Sequence, residues 1–330
     1  NGARAHTGNL ESLLASDAAD IDAVVVNTPN DKHVHDASTA IAAGKHVLVE
    51  KPLALSAKEA SVVVQEAETA QVCLMVAHTL RFMPPNVQVQ RAVKDGELGR
   101  PGMLRSHRWL RRFPGPPAGW KHNPGRSGGL AIHEGVHEID QAIWLIGERP
   151  THVHGSAQPN ILHIHLGFET GAMALCDIAV GLPLGEGYYS LLLVGSAGAA
   201  YIDDQHNLQL VYRGGRPEAF VNNQRQLGVR AQFDEFGTAI HEQRKPTSAG
   251  PDAVLVLQIA EAVQASIDSG HRQDYGERLC PHLRSTARSR SAQPNTSMWH
   301  KRLPIILDSR SSVLRMNQQQ PVGFTHATNH

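Results

Sequence analysis

The chain has 330 residues with 31 basic and 31 acidic side chains, so it has length for two domains and no charge excess to draw it to nucleic acid or a membrane surface. No apolar run approaches the ~20 residues that span a bilayer, and the first residues show no signal-peptide core. Cys73, Cys176 and Cys280 stand far apart with no CxxC pair, as expected of a reduced cytoplasmic protein rather than a disulfide-stapled one.

In chain order, the stretch after Gly8 predicts a short helix, and the apolar, β-branched run Ala23–Val26 predicts a buried parallel strand. The run stops at Asn27-Thr28-Pro29-Asn30, a turn-forming group. Val34, Ala37, Ala40 and Ile41 then recur at helical spacing, with Gly44 as the stop. A second apolar run, His46–Val49, ends on Glu50-Lys51-Pro52. This is strand–helix–strand with polar residues at both strand ends, where open α/β sheets bind ligands. Ser56 and Glu59 form a capping box for the next helix, which turns Ala60, Val63, Val64, Ala67 and Ala70 inward, and Val72–Ala77 predicts a third buried strand.

Beyond Leu80 the pattern changes. Asn86–Leu98 reads as a helix stopped at Gly99, and Gly102–Arg112 alternates with Met103, Arg105, His107 and Trp109 on one side. Ile161–Phe168, Ala172–Val180, Tyr188–Val194, Ala199–Asp203 and Leu208–Tyr212 predict a large antiparallel sheet with one packed and one more polar face. Gly195 and Gly198 are not a phosphate-binding turn, because a strand follows them where a helix N-terminus would be needed; a hairpin is expected. Helices over Val229–His241 and Asp252–Ser269, the latter with Asp252 as N-cap, close this part. Residues 279–330 turn polar and basic and are expected to form a disordered tail.

The run Thr28-Pro29-Asn30-x-x-His33, followed by AGKHVLVEKP ending at Pro52, resembles the Gfo/Idh/MocA family of nicotinamide-dependent oxidoreductases. The likeness continues with gaps to about Arg278. It implies an α/β fold: a partial Rossmann-type parallel-sheet domain over residues 1–79, then an α+β substrate and oligomerisation domain over 80–278 with a large, mostly antiparallel sheet. It also implies NAD or NADP as cofactor, a small polyhydroxylated substrate such as a sugar, polyol or cyclic diol, and a homodimer or homotetramer. By the same resemblance Asn27, Thr28, Pro29, Asn30, His33, Glu50 and Lys51 lie along the nicotinamide end of the cofactor, and Arg81 faces the cleft. A complete domain of this kind opens with a strand, a G-x-G-x-x-G turn, a helix and a second strand ending in an acid. The chain shows none of these, so it reads as N-terminally truncated by roughly two βα units, and as it stands it is expected to be inactive and to bind cofactor weakly.

Trp120-Lys121 precedes Gly128-Gly129 and a helical stretch with His133, His137 and Asp140. In the family an Asp-x-x-x-His pair follows such a Gly-Gly; here His133 stands in the aspartate's place and His137 matches the histidine. Residues four apart share a helix face, so both imidazoles can reach one cleft. Alcohol oxidation needs a base for the hydroxyl proton as hydride leaves carbon, a task suited to an imidazole titrating near neutrality. His137 is therefore read as general base or acid, Lys51 as oxygen polariser and relay partner, and His133 as substrate contact or second relay, with Trp120 and Lys121 lining the substrate pocket. A second reading is a non-catalytic sensor on the same scaffold. His133-Glu134-x-x-His137 also spells the zinc motif H-E-x-x-H, but no third ligand is indicated by spacing, and no metal is expected.

Overall fold

The structure is a computed structural model that describes residues 9–17, 20–111, 119–182, 187–203, 208–212, 217–221, 225–275, 304–308 and 313–315. After α1 (Leu10–Asp17) come β1 (Ala23–Asn27), α2 (His33–Ala42), β2 (His46–Glu50), α3 (Ala57–Ala70) and β3 (Leu74–Ala77). The three strands are parallel neighbours, with Val24 opposite Val47 and Val47 opposite Leu74. Their continuous apolar sequence follows from burial on both faces. Val24, Val26, Val47 and Val49 belong to the larger core, while Ala23, Val25, Leu48 and Met75 pack with Phe236 on the other side. Full burial of such side chains contributes about 1.5–3 kcal/mol each. The Ser56 hydroxyl accepts the Glu59 backbone N–H at 3.2 Å and starts α3, as the capping box requires.

The second part holds α4 (Pro84–Lys94), β4 (Pro101–Arg111), α5 (Pro124–Ser127), α6 (Val136–Ile146), β5 (Pro150–Gln158), β6 (Ile161–Phe168), β7 (Met173–Leu182), β8 (Tyr188–Gly195), β9 (Ala199–Asp203), β10 (Leu208–Tyr212), β11 (Pro217–Val221), α7 (Arg225–His241), α8 (Gly250–Ser269) and β12 (Gln273–Asp274). The sheet order is β11-β10-β9-β8-β4-β7-β6-β5-β12. It is antiparallel except where β4 runs parallel to β7. Leu104, Leu162, Ile164, Leu166, Ala174, Ile178 and Leu193 are fully buried on the packed face. The turn at Gly195–Gly198 joins β8 to β9 as a hairpin, with Gly195 N–H donating to Gly198 O at 2.8 Å.

Three features depart from expectation. The strand β5 carries a single strong apolar signal at Val153; its Gly155 lies against α8, where an added Cβ would sit 2.7 Å from Val263 O. The N-cap of α8 is Ala249, not Asp252, because the Asp252 carboxylate is turned to Arg81 at 2.8 Å. Within the expected tail there are two further strands, β13 (Pro304–Asp308) and β14 (Val313–Arg315). The first pairs in parallel with β1 along its free edge, Val25 opposite Ile306, and β14 pairs antiparallel with β13. An unpaired edge on so apolar a strand leaves a row of open backbone groups, and the short aliphatic run Ile305-Ile306-Leu307 supplies partners for them. The basic residues Arg284, Arg288 and Arg290 lie outside the described residues, as does Cys280. Among the described residues, no helix is long and apolar enough to cross a membrane.

Candidate active site

The loops at the carboxyl ends of β1 and β2 are tied to each other before they can touch anything else. His33, 1% exposed, lies between two carbonyls, with Nδ1 2.7 Å from Pro52 O and Nε2 2.8 Å from Thr28 O. Burial pushes its pKa down against the pull of both carbonyls, and a neutral ring has one N–H to give. His33 therefore donates to one of the two carbonyls while its ring, packed between the strand-end loops, leaves almost no surface for the cofactor. Thr28 Oγ1 donates to Asp36 at 2.6 Å. Asn30, 2% exposed, donates from Nδ2 to Ser127 O at 2.8 Å and to His133 Nδ1 at 3.0 Å. Of the expected cofactor residues, Asn27 is exposed at the end of β1, while Pro29 and Glu50 are half-buried.

Lys51 follows β2 directly, before a cis bond to Pro52. Its ammonium donates to the His133 carbonyl at 2.6 Å and lies 3.7 Å from Glu134 Oε1. That carbonyl is available because residues Ala131–Gly135 form a single π-helical turn ahead of α6. Such bulges widen the ladder and recur at functional sites. Gly128, at φ +88, turns the chain into it, and Gly135 lets it settle on β6, where a Cβ would sit 3.3 Å from Leu162.

The turn places Glu134, which the sequence marks only within the zinc motif, at the centre of the group. Its Oε1 is 3.3 Å from His133 Nε2 and 3.7 Å from Lys51; its Oε2 pairs with Arg108 and lies 4.0 Å from His137 Nε2. Because Asn30 donates to His133 Nδ1, the His133 proton sits on Nε2, facing Glu134. Both His133 nitrogens are therefore engaged by protein. His137 Nδ1 is buried with no hydrogen-bond partner among the described residues. Arg108, missed by sequence reasoning, reaches back from β4 and lies 2.9 Å from Glu138.

The electrostatics differ from expectation in one respect. Burial, then the Lys51 and Arg108 charges, hold the His137 imidazole well below its ordinary value, and burial with Lys51 takes His133 down to about 3. Neither titrates near neutrality; both are neutral across the physiological range. Burial would push Glu134 up, but Lys51 and Arg108 bring it down to about 2. Burial pushes Lys51 down, and Glu134 opposes that fall.

Arg81 is the second correction. Its guanidinium does not face the cleft. It donates to both Asp140 oxygens, to Asp252 Oδ2 at 2.8 Å and to Thr247 O at 2.7 Å, at 6% exposure. Committed on every nitrogen, it clasps the segment after β3 to α6 and α8. Trp120 does stand at the group, its ring edge-on to His133 at 5.5 Å, and Lys121 Nζ lies 5.5 Å from the Trp120 ring centroid.

Neutral imidazole, ammonium and carboxylate at the carboxyl end of a parallel strand fit the nicotinamide end of a dinucleotide, and the unpartnered His137 nitrogen leaves a polar atom for a ligand. The 330 residues contain no G-x-G-x-x-G turn for the pyrophosphate. A parallel sheet leading into a large open sheet, with a lysine and histidines at their junction, defines a nicotinamide-type oxidoreductase. The family profile of the oxidoreductase NAD-binding Rossmann fold, Gfo/Idh/MocA, matches residues 2–78, and that of the oxidoreductase C-terminal alpha/beta domain matches residues 90–274. The chain belongs to this family and is an NAD(P)-dependent oxidoreductase. It is 33% identical over 283 residues to inositol 2-dehydrogenase 2 of Saccharopolyspora erythraea, covering 82% of this chain and 80% of that protein. Identity to the rhizopine catabolism protein MocA of Rhizobium meliloti is 26%, over 74% and 76% of the two chains. The crystal structure of aldose-aldose oxidoreductase from Caulobacter crescentus superposes with a TM-score of 0.70 at 24% identity, covering 80% of this chain and 82% of that one.

Proposed function

We propose that the protein moves a hydride between a nicotinamide and a small polyhydroxylated substrate, a sugar, polyol or cyclic diol. The observation that carries this is the gathering of Lys51, His133 and His137 on one carboxylate at the end of β2. The kinship to an inositol 2-dehydrogenase supports the polyol class. Bound nicotinamide would supply the hydride acceptor or donor. In the oxidative direction the neutral His137 imidazole, a weaker base than the near-neutral group expected from the sequence, takes the hydroxyl proton as the carbonyl forms, and Lys51 polarises the substrate oxygen. His133 positions Glu134 and the Lys51 ammonium, and Trp120 and Lys121 wall the substrate side. Thr28, Pro29 and Glu50 border the nicotinamide end. The dinucleotide part runs to residue 79 and the substrate part over 80–278.

Without a glycine turn in these 330 residues, affinity for the cofactor rests on the nicotinamide end, and no saturation is expected at micromolar NAD or NADP. The test is therefore a panel of polyols and aldoses with millimolar NAD or NADP, followed by nicotinamide absorbance. Against the inactivity expected from the sequence, slow reduction of cofactor by one or more polyols is expected here, because Lys51, Glu134 and His137 are assembled. Tight binding of a sugar with no turnover at any cofactor concentration would favour the sensor reading instead. The zinc reading of His133 and His137 is disfavoured by the two cations, Lys51 and Arg108, that already neutralise Glu134.

The protein is proposed to be cytoplasmic, and a homodimer or homotetramer through the open face of the nine-stranded sheet. Trp109, Ile161, Met173 and Tyr201 are each 40–51% exposed, and the strand registers put all four on that face. Trp109→Glu is expected to yield monomers in light scattering. A wild-type chain that is already monomeric would remove this part of the proposal.

A further inference from the structure

We propose that Glu134 is a positioning residue for hydride transfer: its carboxylate is the counter-ion that keeps Lys51 an ammonium ion and holds it against the His133 carbonyl. The proposal rests on the functional reading above and deepens it.

One carboxylate, 5% exposed, stands among Lys51, Arg108, His133 and His137. Two of those neighbours are cations, and only one of them can lose its charge. A guanidinium stays protonated in proteins, whereas a buried ammonium gives up its proton readily. With both histidines neutral, Glu134 is the anion that lets Lys51 and Arg108 be charged side by side. The other charged groups facing Lys51 do not replace it. Glu50, its chain neighbour, is itself pushed towards the neutral acid by burial, and Lys121 adds positive charge. Glu138 is directed to Arg108, not Lys51. The neutral rings of His78 and His33 complete the surroundings.

The consequence is that the pH-sensitive member of the reaction centre is Lys51 under the control of Glu134, and not a histidine. A substrate oxygen is polarised only while Lys51 carries its proton, so this contribution is present at low pH and lost as pH rises through the Lys51 value. Removing the carboxylate should bring that loss to lower pH.

The experiment labels the chain with acetic anhydride across a pH series and reads acetylation of Lys51 by peptide mass spectrometry, with exposed Lys58 as internal control. Only the neutral amine reacts. In Glu134→Gln the half-reaction pH of Lys51 is expected to fall by about one unit or more relative to wild type, because an opposite charge within this distance shifts a pKa by 1–3 units. Glu134→Asp should restore part of the fall. Arg108→Met, which removes the neighbouring cation, should move Lys51 the other way, and it serves as a second test should Glu134→Gln fail to fold. An unchanged Lys51 profile in Glu134→Gln, or in Arg108→Met, would overturn the proposal. The labelling needs no turnover, so a chain that never transfers hydride counts against the functional reading alone.

Discussion

Arg81→Met is expected to destabilise the protein by about 3–5 kcal/mol in denaturant unfolding, the loss typical when one partner of a buried ion pair is removed. Asp140 is 1% exposed, and both of its oxygens accept from Arg81. With methionine in place of the guanidinium, that buried carboxylate loses its donors and its counter-ion. His78 stands 3.7 Å away at 2% exposure, and its burial disfavours the protonated ring that could help. Asp252, 43% exposed, can turn to water, so Asp252→Asn should cost much less, within about 1 kcal/mol. Equal losses from the two substitutions would mean that the clasp owes its strength to Asp252 and not to the buried pair.

Much of this fold is readable from residue pattern, for a definite reason. The β1–α2–β2 unit has strands buried on both faces, so Ala23–Val26 and His46–Val49 are continuous apolar runs that only a covered parallel strand explains. The placement of Lys51 at a strand end and of His137 on a helix is legible because both are local properties, while the roles expected of them come from the resemblance. Glu134 was hidden by the same helical geometry. Residues four apart share a face on an α-helix, which groups His133 with His137 and turns Glu134 aside. The π turn over Ala131–Gly135 breaks that register, and nothing in the apolar spacing marks it. Arg108 did leave a signal. It falls in phase with buried Leu104 and Ser106, on the packed face of β4, where an arginine demands a buried acid. Arg81 was misplaced because resemblance sets its position in the chain, while its partners, Asp140 and Asp252, come from elements 59 and 171 residues away.

Lys51→Met is expected to lower kcat by about 10²–10³-fold at saturating cofactor, the range found when one preorganised donor to a developing oxyanion is lost. Methionine keeps much of the side chain's volume, so the change isolates the charge. Affinity for the dinucleotide should stay within a few-fold, since the ammonium contacts the His133 carbonyl and Glu134 and, in the proposed reaction, acts on the substrate oxygen. A loss confined to cofactor binding would make Lys51 a cofactor contact and leave the oxygen without its polariser. Chelation should change neither the activity nor the fold, because Glu134 is already neutralised by two side chains.

The group formed by Lys51, Glu134 and His137 is tested most directly by isotope transfer. The polyol turned over fastest is supplied with deuterium on its reacting carbon, with millimolar cofactor, and the nicotinamide is examined by NMR. Deuterium is expected on the nicotinamide with the wild-type chain and at background with Lys51→Met and with His137→Ala, each shown to be folded. Undiminished transfer in both variants would contradict the assignment of the chemistry to this group.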